Sequence, residues 1–429
     1  MALRLWERPS SPDKAAALMA SRIVTVLGAF GFLYLAFRWF DYVDPRFAPG
    51  ITTGLTSNPN FVLSAFILVP VALVLLMSTI RAKTCWIAAI FIVCVATLES
   101  FAFIYNNRAI ASSPGLVEKS DGDPLQKTNC GKIGSCLYQN AHAHVVGTFD
   151  GKIVFDVVYN VDELGVRRSL DKDDRESRPI FLSLFGDSNT FGMNVSDQQT
   201  LGGQIGAIAC ATHPYNLALP GGSTSNMLAE FEENRVSQVI KQTNGYFVYV
   251  YNDGHQFRNV GDEDTLLFGK NFPAYDFDSN GGIAYMGTLW TYRVLRNALV
   301  VLAQNSNIVR ALHIHLLDRR TDYHARLTAA MIDRSAEISR EQFPDSKFVV
   351  LFPPDSQTVS DITKRLHDKD IRILDYSSLI SGARTDVLMP DKHPMPIFYK
   401  EMAEQIAKDL GLETRCPRAG FTKVERPLR

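Results

Sequence analysis

The sequence has no excess of either charge, and this lack narrows the partners that it can recognise. Its 429 residues include 44 lysines and arginines against 45 aspartates and glutamates, for a formal net charge of −1 at pH 7. Proteins that attract nucleic acid through their overall field carry an excess of positive charge. We therefore expect no nucleic-acid partner. The chain also has no internal repeat and no low-complexity tract.

Cysteine is sparse, with six residues in the whole chain. Cys130 and Cys136 bracket a short loop, and this spacing suits a small disulfide in an oxidising compartment. A zinc site is the less favoured alternative, because no second pair of Cys or His residues stands at ligand spacing. Cys210 and Cys416 form a second pair that the sequence permits without requiring it.

Long apolar runs are confined to the first quarter of the chain, at residues 23–40, 61–80 and 85–105. Each is long enough for a membrane-spanning helix, which needs about 20 mainly apolar residues. The alternatives are buried helices of a soluble domain and, for the first run alone, a cleaved signal peptide. The preferred interpretation is three transmembrane helices, with membrane lipid as a partner.

Positive residues beside these runs predict the orientation. They precede the first run and fill the turn between the second and third, as Arg4, Arg8, Lys14, Arg22, Arg81 and Lys83. The positive-inside rule makes both places cytoplasmic, so three crossings leave the chain after Tyr105 outside. The expected location is the inner membrane, with the large C-terminal part facing the periplasm or another extracytoplasmic space.

The part after the apolar runs alternates between short buried runs and segments of helical length. The short runs cover 179–185, 215–219, 245–251, 347–352 and 371–374, and the helical segments cover 223–241, 285–304, 323–343 and 360–367. Such alternation predicts an α/β domain with a parallel sheet, whose reactive residues lie at the carboxyl ends of the strands. The stretch 255–285 has little periodicity and is predicted to be an insertion near the site, with a plain surface loop as the alternative.

These patterns divide the chain into five predicted regions. They are a cytoplasmic N-terminus (1–21), a membrane region with three helices (22–105), a linker with a small β element (106–178), the α/β domain (179–413) and a basic tail (414–429).

A serine stands where the first short apolar run ends, in the stretch Leu184-Phe185-Gly186-Asp187-Ser188-Asn189-Thr190-Phe191-Gly192. The flanking glycines let the backbone turn and admit a substrate, while the serine amide is free to point at an oxyanion. A plain turn that caps a helix is the alternative. The pattern favours Ser188 as a nucleophile.

This stretch resembles the first block of the SGNH (GDSL-like) hydrolase superfamily, and three further blocks follow in the family's order. They are Asn216-Leu217-Ala218-Leu219-Pro220-Gly221-Gly222-Ser223, then Asn252-Asp253, then Asp391-Lys392-His393-Pro394. The resemblance implies a three-layer, flavodoxin-like domain, with His393 as the base of Ser188. It also implies oxyanion donors from the amides of Ser188 and Gly221 and the side chain of Asn252, and it requires no metal and no cofactor.

Two of the blocks depart from the family's pattern. Val250 replaces the glycine of the third block, and Asp391 stands one residue closer to His393 than the usual acid, whose position Pro390 occupies. The acid matters because it holds the imidazole in the tautomer that accepts the serine proton. We expect Asp391 to reach the ring through a shifted turn; a backbone carbonyl is the alternative.

Together these features predict a serine esterase, with an O-acyl (acetyl) ester of cell-envelope carbohydrate as the leading substrate. Lipid and thioester substrates are alternatives, as is transfer of the acyl group to a sugar hydroxyl. The competing hypothesis is a catalytically silent envelope protein that binds polysaccharide or assembles with polysaccharide machinery. A transporter is disfavoured because the apolar runs contain no paired charges.

Overall fold

The computed structural model describes residues 94–95, 97–103, 116–170, 175–314, 317, 320–379 and 387–412. They belong to two compact units. The first spans residues 1–113 and 302–314, and the second spans 114–301 and 315–429. All predicted site residues lie in the second unit.

The strands of the described residues are β1 (Leu116–Gly122), β2 (Gln126–Thr128), β3 (Ser135–Leu137), β4 (His142–Phe149), β5 (Lys152–Asn160), β6 (Ile180–Phe185), β7 (Thr212–Asn216), β8 (Asn244–Val250), β9 (Pro273–Phe277), β10 (Ile283–Thr288), β11 (Ser346–Phe352) and β12 (Arg372–Asp375). The labelled helices are α1 (Ser188–Phe191), α2 (Leu201–Ile208), α3 (Thr224–Glu232), α4 (Arg235–Val239), α5 (His255–Val260), α6 (Glu263–Phe268), α7 (Leu289–Tyr292), α8 (Val294–Gln304), α9 (Asn307–Ala311), α10 (Asp322–Gln342), α11 (Val359–Thr363) and α12 (Pro396–Leu410).

A five-stranded parallel sheet, in the order β7-β6-β8-β11-β12, forms the centre of the second unit. Numbered along the chain, its strands follow the order 2-1-3-4-5, which is the flavodoxin-like order. In such sheets the reversal of strand order opens a crevice at the carboxyl ends of the strands on either side of it. Here those strands are β6 and β8, and the Gly-Asp-Ser and Asn-Asp blocks follow them directly.

Both faces of this sheet are covered, because alternate residues of each strand point to opposite sides. In β6, Leu182 and Leu184 belong to one apolar cluster, whereas Phe181 and Phe185 belong to the other. Helices α2 and α12 supply the first cluster with Leu201, Ile205, Met402 and Ile406, and α3 and α10 supply the second with Leu228, Phe231, Met331 and Ile332. The predicted three-layer α/β arrangement with a parallel sheet is therefore present.

The helix predicted at residues 285–304 is wrong, and the one predicted at 223–241 is divided into α3 and α4. Residues 285–304 were expected to form a single helix, but the segment contains the end of β10 followed by α7 and α8. β10 pairs with β9 in an antiparallel hairpin, and this pairing outweighs the helical spacing of the apolar residues. The stretch 255–285, expected to be irregular, includes α5, α6 and β9.

The membrane part of the predicted fold is corrected by the structure. Within the described ranges, no helix is long and apolar enough to cross a bilayer. Of the third predicted span, residues 94–95 and 97–103 are described, and they are helical. Glu99 in this stretch accepts a hydrogen bond of 2.7 Å from the backbone N–H of Asn307.

The first two predicted spans, residues 23–40 and 61–80, lie outside the described residues, as do the predicted N-terminal region (1–21) and basic tail (414–429).

The predicted linker contains more structure than a small β element. β1, β4 and β5 form a three-stranded antiparallel sheet, and β2 pairs with β3. A disulfide joins Cys130 to Cys136 beside the β2–β3 pair. Cys210 is disulfide-bonded as well, while Cys416 lies outside the described residues.

Candidate active site

Ser188 lies at the point where the chain leaves the sheet, between β6 and the short helix α1. Asp187 is the N-cap of α1, and its carboxylate accepts a hydrogen bond of 3.0 Å from the backbone N–H of Asn189. Gly186 lies so close to Thr190 that a side chain at this position would collide with it. The strand end, the cap and the glycine together present the serine hydroxyl at the carboxyl edge of the sheet.

The structure brings Ser188, His393 and Asp391 together. His393 Nε2 lies 3.0 Å from Ser188 Oγ, and His393 Nδ1 lies 2.6 Å from Asp391 Oδ2. A carboxylate can only accept a hydrogen bond, so Nδ1 carries the ring proton and Nε2 presents its lone pair to the serine hydroxyl. This is the geometry of a nucleophile, a general base and an acid that orients the base.

A tight turn brings the displaced acid to the imidazole. The backbone N–H of Lys392 donates to Met389 O at 2.8 Å, and the N–H of Met389 donates to His393 O at 2.8 Å. Lys392 has a φ of +70°, in the left-handed region. Asp391 Oδ1 also accepts a hydrogen bond of 3.1 Å from the backbone N–H of His393. The carboxylate two residues before the histidine therefore reaches the ring, and no backbone carbonyl is needed in its place.

Asp391 has one more partner, which sequence reasoning missed. The side-chain amide of Asn194 donates a hydrogen bond of 2.6 Å to Asp391 Oδ2. Burial alone would raise the pKa of the Asp391 carboxyl, but hydrogen bonds from His393 and Asn194, with the charge of His393, hold this pKa below its usual value. The carboxylate thus stays ionised beside the histidine at neutral pH.

Two backbone amides are available as oxyanion donors. Among the described residues, neither the N–H of Ser188 nor that of Gly221 has a hydrogen-bond acceptor. Gly221 has a φ of +75°, a conformation that favours glycine. Its loop runs beside the nucleophile, because the N–H of Leu219 donates to Gly186 O at 3.1 Å.

Asn252 follows β8 and borders the same cleft as Asp187 and Asn189. Its side-chain oxygen accepts a hydrogen bond of 2.8 Å from the N–H of Gly254, which fixes the orientation of the amide. The NH₂ group is then the part of the side chain that remains to donate. The adjacent Asp253 accepts a hydrogen bond of 2.8 Å from the N–H of Gln357 and so joins this loop to the one after β11.

Arg258, in the stretch expected to be an insertion, ties two of the blocks together. Its Nη1 donates to Asp187 Oδ2 at 2.9 Å and to Gly222 O at 3.0 Å. Burial alone would raise the pKa of Asp187, but His255 and Arg258 hold it well below its usual range. Arg258 is the closer of these two partners, since His255 Nε2 lies 3.5 Å from the carboxylate. No spacing in the sequence pointed to this residue.

His255 is fully buried beneath the nucleophile loop. Its Nδ1 lies 2.6 Å from Tyr249 Oη and 3.3 Å from the backbone N of Asn252, whose N–H donates to it. Burial lowers the pKa of this imidazole, so it stays neutral at pH 7. These contacts hold the end of β8 and the residue Asn252 after it. Because the imidazole is buried there, it is not one of the groups that contact Ser188.

The cleft beside the triad has a volume of about 380 Å³. Polar residues of three loops border it, among them Asn252, Asp355 and Lys392, and its apolar wall includes Val250 and Phe398. A larger groove of about 840 Å³ is lined mainly by charged residues of α10 and of residues 364–368, and it borders none of the predicted site residues. The described residues contain no cluster of three or more His, Cys, Asp or Glu suited to hold a metal ion.

No family model and no curated protein matches the chain. Several solved structures are similar to it. An acetyl xylan esterase from the rumen bacterium Butyrivibrio proteoclasticus is similar over 65% of this chain and 73% of its own, at 12% identity and a TM-score of 0.34. A family two carbohydrate esterase from Clostridium thermocellum, in complex with cellohexaose, is similar over 70% and 100%, at 10% identity and a TM-score of 0.33.

A lipolytic protein of the G-D-S-L family from Veillonella parvula is similar over 54% of this chain and 97% of its own, at 13% identity and a TM-score of 0.31. Since similarity at this level carries no argument about activity, we infer the function from the site itself. The strand order and the contacts among Ser188, His393 and Asp391 agree with what the resemblance to the SGNH hydrolase superfamily implies.

Proposed function

We propose that this protein is an SGNH-type serine esterase that hydrolyses O-acyl esters, with acetyl esters of carbohydrate as the leading substrates. The observation that carries the proposal is a chain of two hydrogen bonds. Ser188 Oγ lies 3.0 Å from His393 Nε2, and His393 Nδ1 lies 2.6 Å from Asp391 Oδ2. A serine whose hydroxyl meets a correctly protonated imidazole is activated for attack on a carbonyl.

In the first half of the proposed reaction, His393 Nε2 takes the proton of Ser188 as Oγ attacks the ester carbonyl carbon. The C=O π bond opens, and the resulting oxyanion is stabilised by the amides of Ser188 and Gly221 and by the side chain of Asn252. The tetrahedral intermediate collapses as its bond to the alkoxy group breaks, and the imidazolium gives its proton to the departing alcohol. An acyl-serine remains.

In the second half, water gives a proton to His393 Nε2 as its oxygen attacks the acyl-serine carbonyl. The bond from the acyl carbon to Ser188 Oγ then breaks, the imidazolium returns its proton to Oγ, and the carboxylic acid leaves. Asp391 stabilises the imidazolium in both halves, because its pKa is held below the usual value and it is ionised at neutral pH. If a sugar hydroxyl takes the place of water, the same steps transfer the acyl group.

The substrate class and the location are part of this proposal. Polar loop residues and an apolar wall together line the cleft of about 380 Å³, a combination suited to a small acyl group on a polar alcohol. The disulfide between Cys130 and Cys136 supports an extracytoplasmic location, since such bonds persist in oxidising compartments. Acylated polysaccharide of the cell envelope is available in that location.

The test measures hydrolysis of p-nitrophenyl acetate, and then acetate release from acetylated glycans, by the wild type and Ser188→Ala. We expect the substitution to lower kcat by about 10⁴-fold or more, since it removes the nucleophile. Ser237→Ala is the matched control: this serine lies on α4, where its hydroxyl donates only to Asn234 O. Its activity should equal that of the wild type.

A fluorophosphonate probe separates an inactive site from a wrong substrate, because it reacts with an activated serine whatever the acyl group. The wild type should be labelled at Ser188. If a folded wild-type sample takes up no probe and hydrolyses none of the esters, the esterase proposal is refuted and a silent binding protein is favoured. Adding a sugar acceptor and analysing the products distinguishes hydrolysis from acyl transfer.

A further inference from the structure

Asn194 has an unusual position in the loop between α1 and α2. Its side chain is 2% exposed and its φ is +65°, in the left-handed region. Its amide donates a hydrogen bond of 2.6 Å to Asp391 Oδ2, across 197 residues of sequence. The same carboxylate oxygen receives the Nδ1 proton of His393 at 2.6 Å. Asn194 therefore touches the acid of the site, although it belongs to none of the four sequence blocks.

Tyr159, near the end of β5, holds Asn194 in turn. Its hydroxyl accepts a hydrogen bond of 2.8 Å from the backbone N–H of Asn194, and its side chain is 1% exposed. The buried guanidinium of Arg167 fixes the same loop, because it donates to Phe191 O at 2.9 Å and to Val195 O at 2.7 Å. The antiparallel sheet region, predicted to be a linker, thus supports the site directly.

We propose that Asn194 is a positioning residue of the proposed esterase, which holds the Asp391 carboxylate against His393, and that Tyr159 holds Asn194 in place. The inference rests on the proposed function and adds two residues to it. The backbone N–H of His393 holds Asp391 Oδ1 from within the tight turn, and Asn194 adds a contact from outside the turn that favours one rotamer of the carboxylate. Asn194 supplies that contact at the oxygen that faces the ring.

The residue type supports this role. Asparagine is among the few residues other than glycine that adopt a φ of +65° readily, and here its side chain has partners that glycine would lack. Its amide group meets Asp391 and the Tyr159 hydroxyl, and a buried amide without such partners would cost free energy. Because the amide of Asn194 is uncharged, it adds no second negative charge beside the Asp391 carboxylate that contacts the imidazole of His393, while the carboxylate of Asp187 accepts a hydrogen bond from Arg258.

The first test compares Asn194→Gly with the wild type. Glycine keeps the left-handed backbone and removes only the amide, so the loop should survive. We expect kcat to fall on the order of 10-fold with KM little changed, because outer partners of active-site groups typically contribute 10- to 100-fold. Tyr159→Phe should also lower kcat, but by a smaller factor than Asn194→Gly, because Tyr159 acts on Asp391 only through Asn194. Tyr246→Phe is the matched control, since its hydroxyl donates to Leu410 O away from the site.

The second test has one readout, an NMR titration, that does not depend on activity. Asn194→Asp places a second carboxyl against Asp391, and added negative charge favours the protonated imidazole. The pKa of His393 should therefore rise, and the acidic limb of the pH profile of kcat/KM should move to higher pH. The other ionisable groups that act on this region include Tyr159, Tyr399, the buried Arg167 with its partner Asp197, Glu118 and Asp187. NMR titration of the imidazole, assigned with His393→Gln, measures the shift directly.

The two proposals fail in different ways. An unlabelled, inactive wild type would refute the esterase proposal, yet the NMR titration would still test the positioning role. If Asn194→Gly and Asn194→Asp both fold, keep kcat within twofold of the wild type and leave the His393 titration unchanged, the positioning role is refuted. If the Asn194 variants fail to fold, Tyr159→Phe against Tyr246→Phe decides the question by the same two measurements.

Discussion

The two halves of the candidate site are built in different ways. The nucleophile half, residues 186–192, depends on neighbours in sequence: a strand end, an N-cap at Asp187 and glycines at both ends. The acid–base half, residues 389–394, depends on a turn whose acid contacts Asn194 and whose histidine contacts Ser188, both about 200 residues away in the chain. The backbone conformation of neighbouring residues is enough to expose Ser188 at the sheet edge. The position of His393 beside it depends on the tertiary fold, because the two residues are far apart in the chain.

The largest effect should come from the acid itself. Asp391→Asn keeps the shape of the side chain, but the amide can donate to Nδ1 and so stabilise the wrong tautomer of His393. We expect kcat to fall about 10⁴-fold with little change in stability. Steady-state kinetics with p-nitrophenyl acetate measure the loss. Activity within tenfold of the wild type would mean that a backbone group, not this carboxylate, orients the ring.

Arg258→Met tests the contribution of one distant contact, the hydrogen bond from Arg258 to Asp187, to the nucleophile half. The substitution leaves the buried Asp187 without its closest cation, and breaking a buried pair in this way costs about 3–5 kcal/mol. Urea unfolding measures the change. Arg334→Met is the control, since the Arg334–Glu337 pair is exposed and contributes about 1 kcal/mol or less.

The Arg258 variant should also lose activity, because Arg258 joins the Asp187 and Gly222 loops. If its stability and kcat both match those of the control variant, the Asp187 and Gly222 loops do not depend on Arg258.

Acid pH should weaken the nucleophile half in a predictable direction. The folded-state pKa of Asp187 is well below the unfolded value of about 3.9. Its ionised form therefore adds stability above about pH 4, and this contribution is lost as the pH falls towards the folded-state pKa. The free energy of unfolding of the wild type, minus that of Asp187→Asn, should be constant between pH 7 and 5 and decline below pH 4. A difference that stays flat to pH 2.5 would contradict the assignment.

The smallest effect should come from the disulfide beside the β2–β3 pair. Replacing Cys130 and Cys136 by alanine releases a short loop and should lower the free energy of unfolding by about 2 kcal/mol. Activity should change less than twofold, since neither cysteine contacts a site residue. Thermal unfolding with and without the substitutions measures the loss. A drop in kcat as large as that expected for Asn194→Gly would show that this region acts on the site through more than Tyr159.

The sequence alone was enough to predict the parallel sheet and the positions of Ser188 and His393. Short apolar runs set by residue type and spacing become buried strands, and the blocks at their ends are local patterns. The same local reasoning failed for residues 285–304, where pairing with β9 decided the structure, and for the membrane-spanning part of the predicted fold. The spacing of apolar residues shows which face of a segment can be buried. The neighbouring segment that it packs or pairs with decides whether it forms a helix or a strand.

Only the tertiary structure decided how Asp391 reaches His393 and which residues contact it. Asp391 reaches His393 because Lys392 adopts a left-handed turn, and Asn194 meets Asp391 because β5 and Arg167 hold its loop. Arg258 lies in a stretch without periodicity and ties two blocks by hydrogen bonds. The contacts of Asn194 and Arg258 each join residues that are far apart in the chain through a single side chain. They could therefore not be predicted from the spacing or composition of the sequence.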